Sequence, residues 1–129
     1  MKKRILLVDD EEAICITLQH RLEKEGFDCD VALGGEKGIE KLDKNSCSFD
    51  LVVTDLNMSP LTAIDIIKKV REINPLIPVM IITGFSDSPL LDEARELHPC
   101  EISFKPFSSE EFLEKIHNFF RRPVKIYNP

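Results

Sequence analysis

Short apolar runs that stop at a polar residue recur along this chain, and they constrain its fold more than any other feature. Ile5-Leu6-Leu7-Val8 stops at Asp9-Asp10, Leu51-Val52-Val53-Thr54 at Asp55, and Ile102-Ser103-Phe104 at Lys105. Val79-Met80-Ile81-Ile82 delivers Thr83, and Phe27 to Leu33 is a weaker fifth run. Taken as neighbouring parallel strands, these runs bring carboxylates, a hydroxyl and an ammonium to one edge of one sheet. Open α/β sheets build their sites there, beyond the carboxyl ends of the strands.

Between the runs the apolar spacing turns helical. Ile14, Leu18 and Leu22 predict a first helix from near Glu12 to Glu25, with Gly26 as its C-terminal cap. Gly34-Gly35 turns into a short helix carrying Ile39 and Leu42, and Asn45-Ser46 breaks that pattern. Ala63, Ile66, Ile67, Val70 and Ile73 form the clearest stripe, which ends at Asn74-Pro75 because proline disfavours helical geometry in the residue before it. Ser88 and Pro89 read as an N-cap and first helical position, with Leu90, Leu91, Ala94 and Leu97 behind them. Ser108-x-x-Glu111 is a capping-box pattern ahead of Phe112, Leu113, Ile116, Phe119 and Phe120.

Strand then helix, five times over, predicts an α/β fold: a doubly wound parallel five-stranded sheet with helices on both faces. Right-handed crossovers leave few topologies, and the flavodoxin-like (βα)5 order 2-1-3-4-5 is one of them. That order makes Asp9, Asp10 and Asp55 end on adjacent strands. Residues 1–122 are expected to form one domain, with 123–129 a C-terminal tail or the start of a linker.

Composition narrows the function classes. A net charge of -6 over 129 residues argues against broad, direct nucleic-acid binding. No apolar stretch is long enough to span a bilayer, and the run after Met1-Lys2-Lys3-Arg4 is too short for a signal-peptide core. Cys15, Cys29, Cys47 and Cys100 are scattered without Cys-x-x-Cys spacing, which reads as free thiols in a reducing cytoplasm rather than a zinc site or disulfide framework.

Clustered carboxylates repel one another, and a divalent cation relieves that repulsion. Hard oxygen ligands with room for water suit Mg2+. A site so neutralised accepts phosphate, with Lys105 supplying positive charge and Thr83 a hydroxyl donor. A carboxylate can also attack phosphorus and form an acyl phosphate. Asp55, alone at the tip of a central strand, is the nucleophile candidate, and Asp9 and Asp10 are the metal candidates. Each residue also has a plainer reading. Asp9-Asp10-Glu11-Glu12 suits a helix start, Asp55 a loop or cap, Thr83-Gly84 a turn and Lys105 a solvated surface. The plain readings do not explain why four strand ends supply complementary groups.

The segments LLVDDEE around Asp9-Asp10, LVVTDLNM around Asp55, IITGFSD around Thr83 and SFKPF around Lys105 resemble, in order and spacing, the receiver domain of two-component response regulators. The resemblance runs from about Lys3 to Phe120. It implies that Asp55 accepts a phosphoryl group from the phosphohistidine of a sensor histidine kinase or histidine phosphotransfer protein. It implies Mg2+ held by Asp10, Asp55 and the backbone carbonyl of Asn57, with Asp9 helping through water. Thr83 and Lys105 would contact the phosphoryl oxygens, and Lys105-Pro106 would be cis. The implied protein is a cytoplasmic signalling phosphoacceptor rather than a turnover enzyme, one that assists its own phosphorylation and dephosphorylation. It would answer to an output domain or effector protein, and a phosphorylation-dependent homodimer is a further expectation.

The chain departs from the family pattern at three places. Ile102 stands three residues before the lysine, where the family usually has a switch aromatic, and Phe104 lies next to Lys105. Met58-Ser59-Pro60 shifts a proline, and Thr62-Ala63 replaces a usual Asp-Gly. Three other classes compete, the weakest a nucleotide-binding α/β domain, because the turn Asp9-Asp10-Glu11 is acidic rather than glycine-rich and would repel a phosphate without a metal. A Mg2+-dependent phosphohydrolase of the haloacid-dehalogenase type would need an aspartate as general acid where Asn57 stands. A receiver-like binding module that is never phosphorylated would not need the full acidic set.

Overall fold

The structure is a computed structural model that describes residues 2–45, 48–85 and 87–121. Cys47, Ser46, Arg122 and the expected tail at 123–129 lie outside the described residues. Strands and helices alternate: β1 Arg4–Asp9, α1 Glu12–Lys24, β2 Asp28–Leu33, α2 Gly35–Asn45, β3 Leu51–Asp55, α3 Ala63–Ile73, β4 Val79–Thr83, α4 Pro89–Glu96, β5 Glu101–Phe104 and α5 Ser109–Arg121. All strand pairs are parallel and the order is β2-β1-β3-β4-β5, as the alternation predicts.

The core divides at the sheet because successive strand side chains point to opposite faces. Leu6, Val8, Val52 and Ile81 face α2, α3 and α4, and they meet Leu42, Ile66, Val70 and Leu91. Ile5, Leu7, Val53 and Ile82 face α1 and α5, and they meet Leu18, Leu22, Phe112 and Ile116. Both faces are covered, so β3 and β4 are buried at every position and read as apolar runs until their polar carboxyl ends, Thr54-Asp55 and Thr83.

Local chemistry sets the helix ends. Gly26 adopts φ +92 just past α1, a left-handed conformation that costs glycine nothing. Ser88 caps α4 by accepting from Leu90 N–H at 3.2 Å, with Pro89 at the first helical position. Ser108 Oγ accepts from Glu111 N–H at 3.1 Å and donates to the Glu111 carboxylate at 3.3 Å. Thr62 and Asp65 form a capping box that starts α3, where the sequence reading saw only a missing Asp-Gly pair. Gly38 lets α2 lie close to the sheet. A Cβ there would come within 2.9 Å of Ile66 Cδ1 and 3.0 Å of Val8 Cγ1. Lys105-Pro106 is cis, as the resemblance implies, and so is Ser59-Pro60.

Candidate functional site

Parallel direction gathers the strand ends. Val8 pairs with Thr54 and Asp55 with Ile82, so Asp9 and Asp55 emerge side by side on β1 and β3. Thr83 pairs with Phe104, and Lys105 N–H extends the ladder by donating to Thr83 C=O at 2.7 Å. Asp9, Asp55, Thr83 and Lys105 therefore reach one sheet edge from four strands.

Lys105 Nζ sits 3.0 Å from Asp9 Oδ2, 3.0 Å from Glu11 Oε1 and 3.7 Å from Asp55 Oδ2. Asp9 is fully buried, and its other oxygen accepts from Glu11 N–H at 3.0 Å. Asp55 is almost as buried. Burial, and then the neighbouring Asp9 charge, push its carboxyl up to about 7; Lys105 pulls the other way and Asp10 adds to the rise. Burial works to lower the Lys105 pKa, but hydrogen bonds to Asp9 and Glu11 carry it above its ordinary value. Cys15 lies beneath, its Sγ 3.7 Å from Asp9 C=O. Burial first and Asp9 second push its thiol up to about 12, so it is no nucleophile at neutral pH.

Carboxylate oxygens of Asp9, Glu11 and Asp55 lie within 4.8 Å of one another. Three carboxylates face one ammonium; burial first and the Asp9 charge second hold the Asp55 carboxyl above its ordinary pKa, with Lys105 only partly opposing them. Hard oxygen donors carrying excess negative charge fit a divalent cation. Asp10 is exposed, yet near enough for its charge to act on Asp55. Glu11, which the sequence marks only as part of an acidic helix start, lies as close to the ammonium as Asp9 does, at 3.0 Å. Its contact joins residues 94 positions apart, and no local pattern announces that.

On the other side of Asp55, Thr83 is fully buried and hydrogen bonded. Asn57 Nδ2 donates to Thr83 Oγ1 at 3.3 Å, and Phe85 N–H donates to the same oxygen at 3.1 Å. Ser88 Oγ donates to Asn57 Oδ1 at 3.2 Å. The sequence reading identified Ser88 only as a cap. Ile102 packs against the core on the α2–α4 face of the sheet, while Phe104 is 41% exposed. The usual aromatic position is thus filled by a partly buried aliphatic side chain.

A family model described as response regulator receiver domain matches residues 5–117. Among curated proteins the chain is similar to the alkaline phosphatase synthesis transcriptional regulatory protein PhoP of Bacillus subtilis. The two are 32% identical over 122 residues, which is 95% of this chain and 50% of that protein. It is also similar to the sporulation initiation phosphotransferase F of Bacillus subtilis, at 29% identity over 125 residues, covering 97% of this chain and 98% of that one. The chain thus spans about half the length of the first relative and nearly all of the second. Among solved structures, a response regulator receiver domain protein from Clostridium thermocellum superposes with a TM-score of 0.79 at 30% identity, covering 90% of this chain and 92% of that one. The chemotaxis protein CheY4 of Vibrio cholerae superposes at 0.81 with 24% identity, covering 92% and 98%, which speaks to the fold alone.

Proposed function

This chain belongs to the response regulator receiver domain family, and from that premise we propose that Asp55 is its phosphoryl acceptor. The reading rests on one observation: Asp9, Asp55, Thr83 and Lys105 reach one sheet edge from four strands, with the Lys105 ammonium 3.0 Å from Asp9 and 3.7 Å from Asp55. An Asp55 carboxylate oxygen attacks the phosphorus of a phosphohistidine. The phosphorus–nitrogen bond breaks, the imidazole leaves and an acyl phosphate forms. The Lys105 ammonium, already 3.7 Å from Asp55, meets the charge on the phosphoryl oxygens, and the Thr83 hydroxyl donates to one of them.

Asp10, Asp55 and the Asn57 backbone carbonyl would hold Mg2+, with Asp9 assisting and Glu11 within reach. When bound, Mg2+ supplies charge neutralisation between the carboxylates and the transferring group. The protein's own groups then do the rest: Asp55 attacks, Lys105 and Thr83 receive the oxygens, and burial keeps water sparse around the acyl phosphate. The phosphohydrolase alternative gains nothing from Asn57, whose amide donates to Thr83 and carries no acidic proton.

The acyl phosphate adds about two negative charges beside the loops that carry Thr83 and Lys105. Drawing those groups inward shifts α4 and α5, a population shift that an output domain or effector protein reads. Residues 1–122 form this receiver unit in our reading, with 123–129 a tail or linker. Its donor is a sensor histidine kinase or phosphotransfer protein in the cytoplasm. Among the described residues no helix is long and apolar enough to cross a membrane. A homodimer formed on phosphorylation would raise the mass seen by light scattering in a phosphate-analogue titration, and a constant mass rejects it.

Incubation with Mg2+ and acetyl phosphate tests the acceptor. Intact mass should show one added phosphoryl group that hydroxylamine removes. Asp55→Asn should stay unmodified. A label that persists on Asp55→Asn, or wild-type protein that takes none, overturns the assignment.

A further inference from the structure

The hydroxyl of Thr83 has one proton to give and two lone pairs to fill. Both lone pairs face N–H donors, from Asn57 Nδ2 at 3.3 Å and Phe85 N at 3.1 Å. What remains is the proton, and Thr83 is fully buried beside Asp55 on the neighbouring strand. Thr83 is therefore wired as a donor. An Asn side chain can also present its oxygen, however, and an Asn57 turned end for end would take the Thr83 proton for itself. Something has to fix the amide.

Ser88 does so. Its Oγ accepts from Leu90 N–H at 3.2 Å in the first turn of α4 and lies 3.2 Å from Asn57 Oδ1. Ser88 Oγ donates its proton to Asn57 Oδ1, and that bond holds the amide oxygen on the Ser88 side. The amide nitrogen is left facing Thr83. Every donor then runs one way: Leu90 N–H to Ser88, Ser88 O–H to Asn57 Oδ1, Asn57 N–H to Thr83.

Resting on the phosphoacceptor reading above, we infer that Ser88 is a positioning residue for phosphoryl transfer: through Asn57 it holds the Thr83 hydroxyl as a donor to the incoming phosphoryl oxygen. The same chain ties the first turn of α4 to the threonine that meets the phosphoryl group. In this protein that route reaches α4 without the aromatic that Ile102 replaces.

Four forms of the full chain separate this role from capping: wild type, Ser88→Gly, Ser88→Asp and Ser88→Thr. Glycine removes the hydroxyl at little cost to an N-cap. Aspartate keeps a capping acceptor but has no proton at neutral pH, so it draws the amide nitrogen and leaves Oδ1 facing Thr83. Threonine keeps the proton. The readouts are the rate of Asp55 phosphorylation by acetyl phosphate with Mg2+, and the 1H–15N signals of the Asn57 side-chain amide.

We expect Ser88→Gly and Ser88→Asp to slow phosphorylation about fivefold, the scale of one hydrogen bond. Both should shift the Asn57 amide signals, with the unfolding temperature of Ser88→Asp unchanged. Ser88→Thr should restore the rate and the signals. A wild-type rate in Ser88→Asp, or unshifted amide signals in Ser88→Gly, overturns the inference. Wild-type protein that takes no phosphoryl group sinks the acceptor reading instead, and the amide signals then decide the hydrogen-bond chain on their own.

Discussion

Asp55→Asn should make the resting protein more stable, because the native fold holds this carboxylate at a cost. Burial and the Asp9 charge raise its pKa from 3.8 to about 7. The shift of roughly three units, at about 1.36 kcal/mol each, sets a ceiling of about 4 kcal/mol. Asparagine gives up the attraction of Lys105 at 3.7 Å, and Asp55 titrates together with its neighbours, so the expected gain is about 2 kcal/mol. The native carboxyl binds its proton more tightly than the unfolded chain does. Between about pH 4 and pH 7 the native state therefore carries the extra proton, and wild-type stability falls as pH rises through that window. The difference between variant and wild type should be small near pH 4 and full above pH 7. Urea unfolding followed by circular dichroism, in chelator, at steps from pH 4 to pH 8, measures it. At pH 8 the variant should melt about 5–10 °C higher. Excess Mg2+ should narrow the gap by relieving the same repulsion. A variant no more stable than wild type at pH 8 without metal would show that the acidic edge is not strained, and the argument for a divalent cation would lose its footing.

Lys105→Met should act in the opposite direction. It strands the buried carboxylates of Asp9 and Asp55 without their cation, at a cost of about 3 kcal/mol in urea unfolding at pH 8, and equal stability would refute the pairing. Gly38→Ala forces a methyl group against Val8 and Ile66 and should cost about 1–3 kcal/mol with no change in the pH profile; an unchanged unfolding midpoint would refute the close approach of α2.

How much of this was legible in the sequence depends on where each constraint comes from. β1, β3 and β4 declared themselves because a strand covered on both faces has no polar position to interrupt it. The edge strands were harder to read. β2 alternates exposed Asp28 and half-buried Asp30 with buried Cys29, and β5 is only four residues long. The start of β2 at Asp28 rather than Phe27 is the kind of one-residue difference that hydrogen-bond pairing decides and composition does not. Thr62-x-x-Asp65 carries its own capping box, a local signal that the departure of Thr62-Ala63 from Asp-Gly obscures.

The site divides along the same line. Asp9, Asp55, Thr83 and Lys105 were legible because chain direction alone sends the carboxyl ends of parallel strands to one edge. No side-chain conformation enters that step. Glu11 on the ammonium, and Ser88 on Asn57, depend on which way a side chain turns across 94 and 31 residues of sequence. Periodicity carries no record of that. The two groups also do different work. Strand ends bring the reacting charges together, so their identity is fixed by chemistry. The residues that turn toward them set which lone pair is filled and which proton is free. Families that share the strand ends can therefore differ in rate and in output through positions like Ser88, and such differences have to be sought in hydrogen-bond direction rather than in motifs.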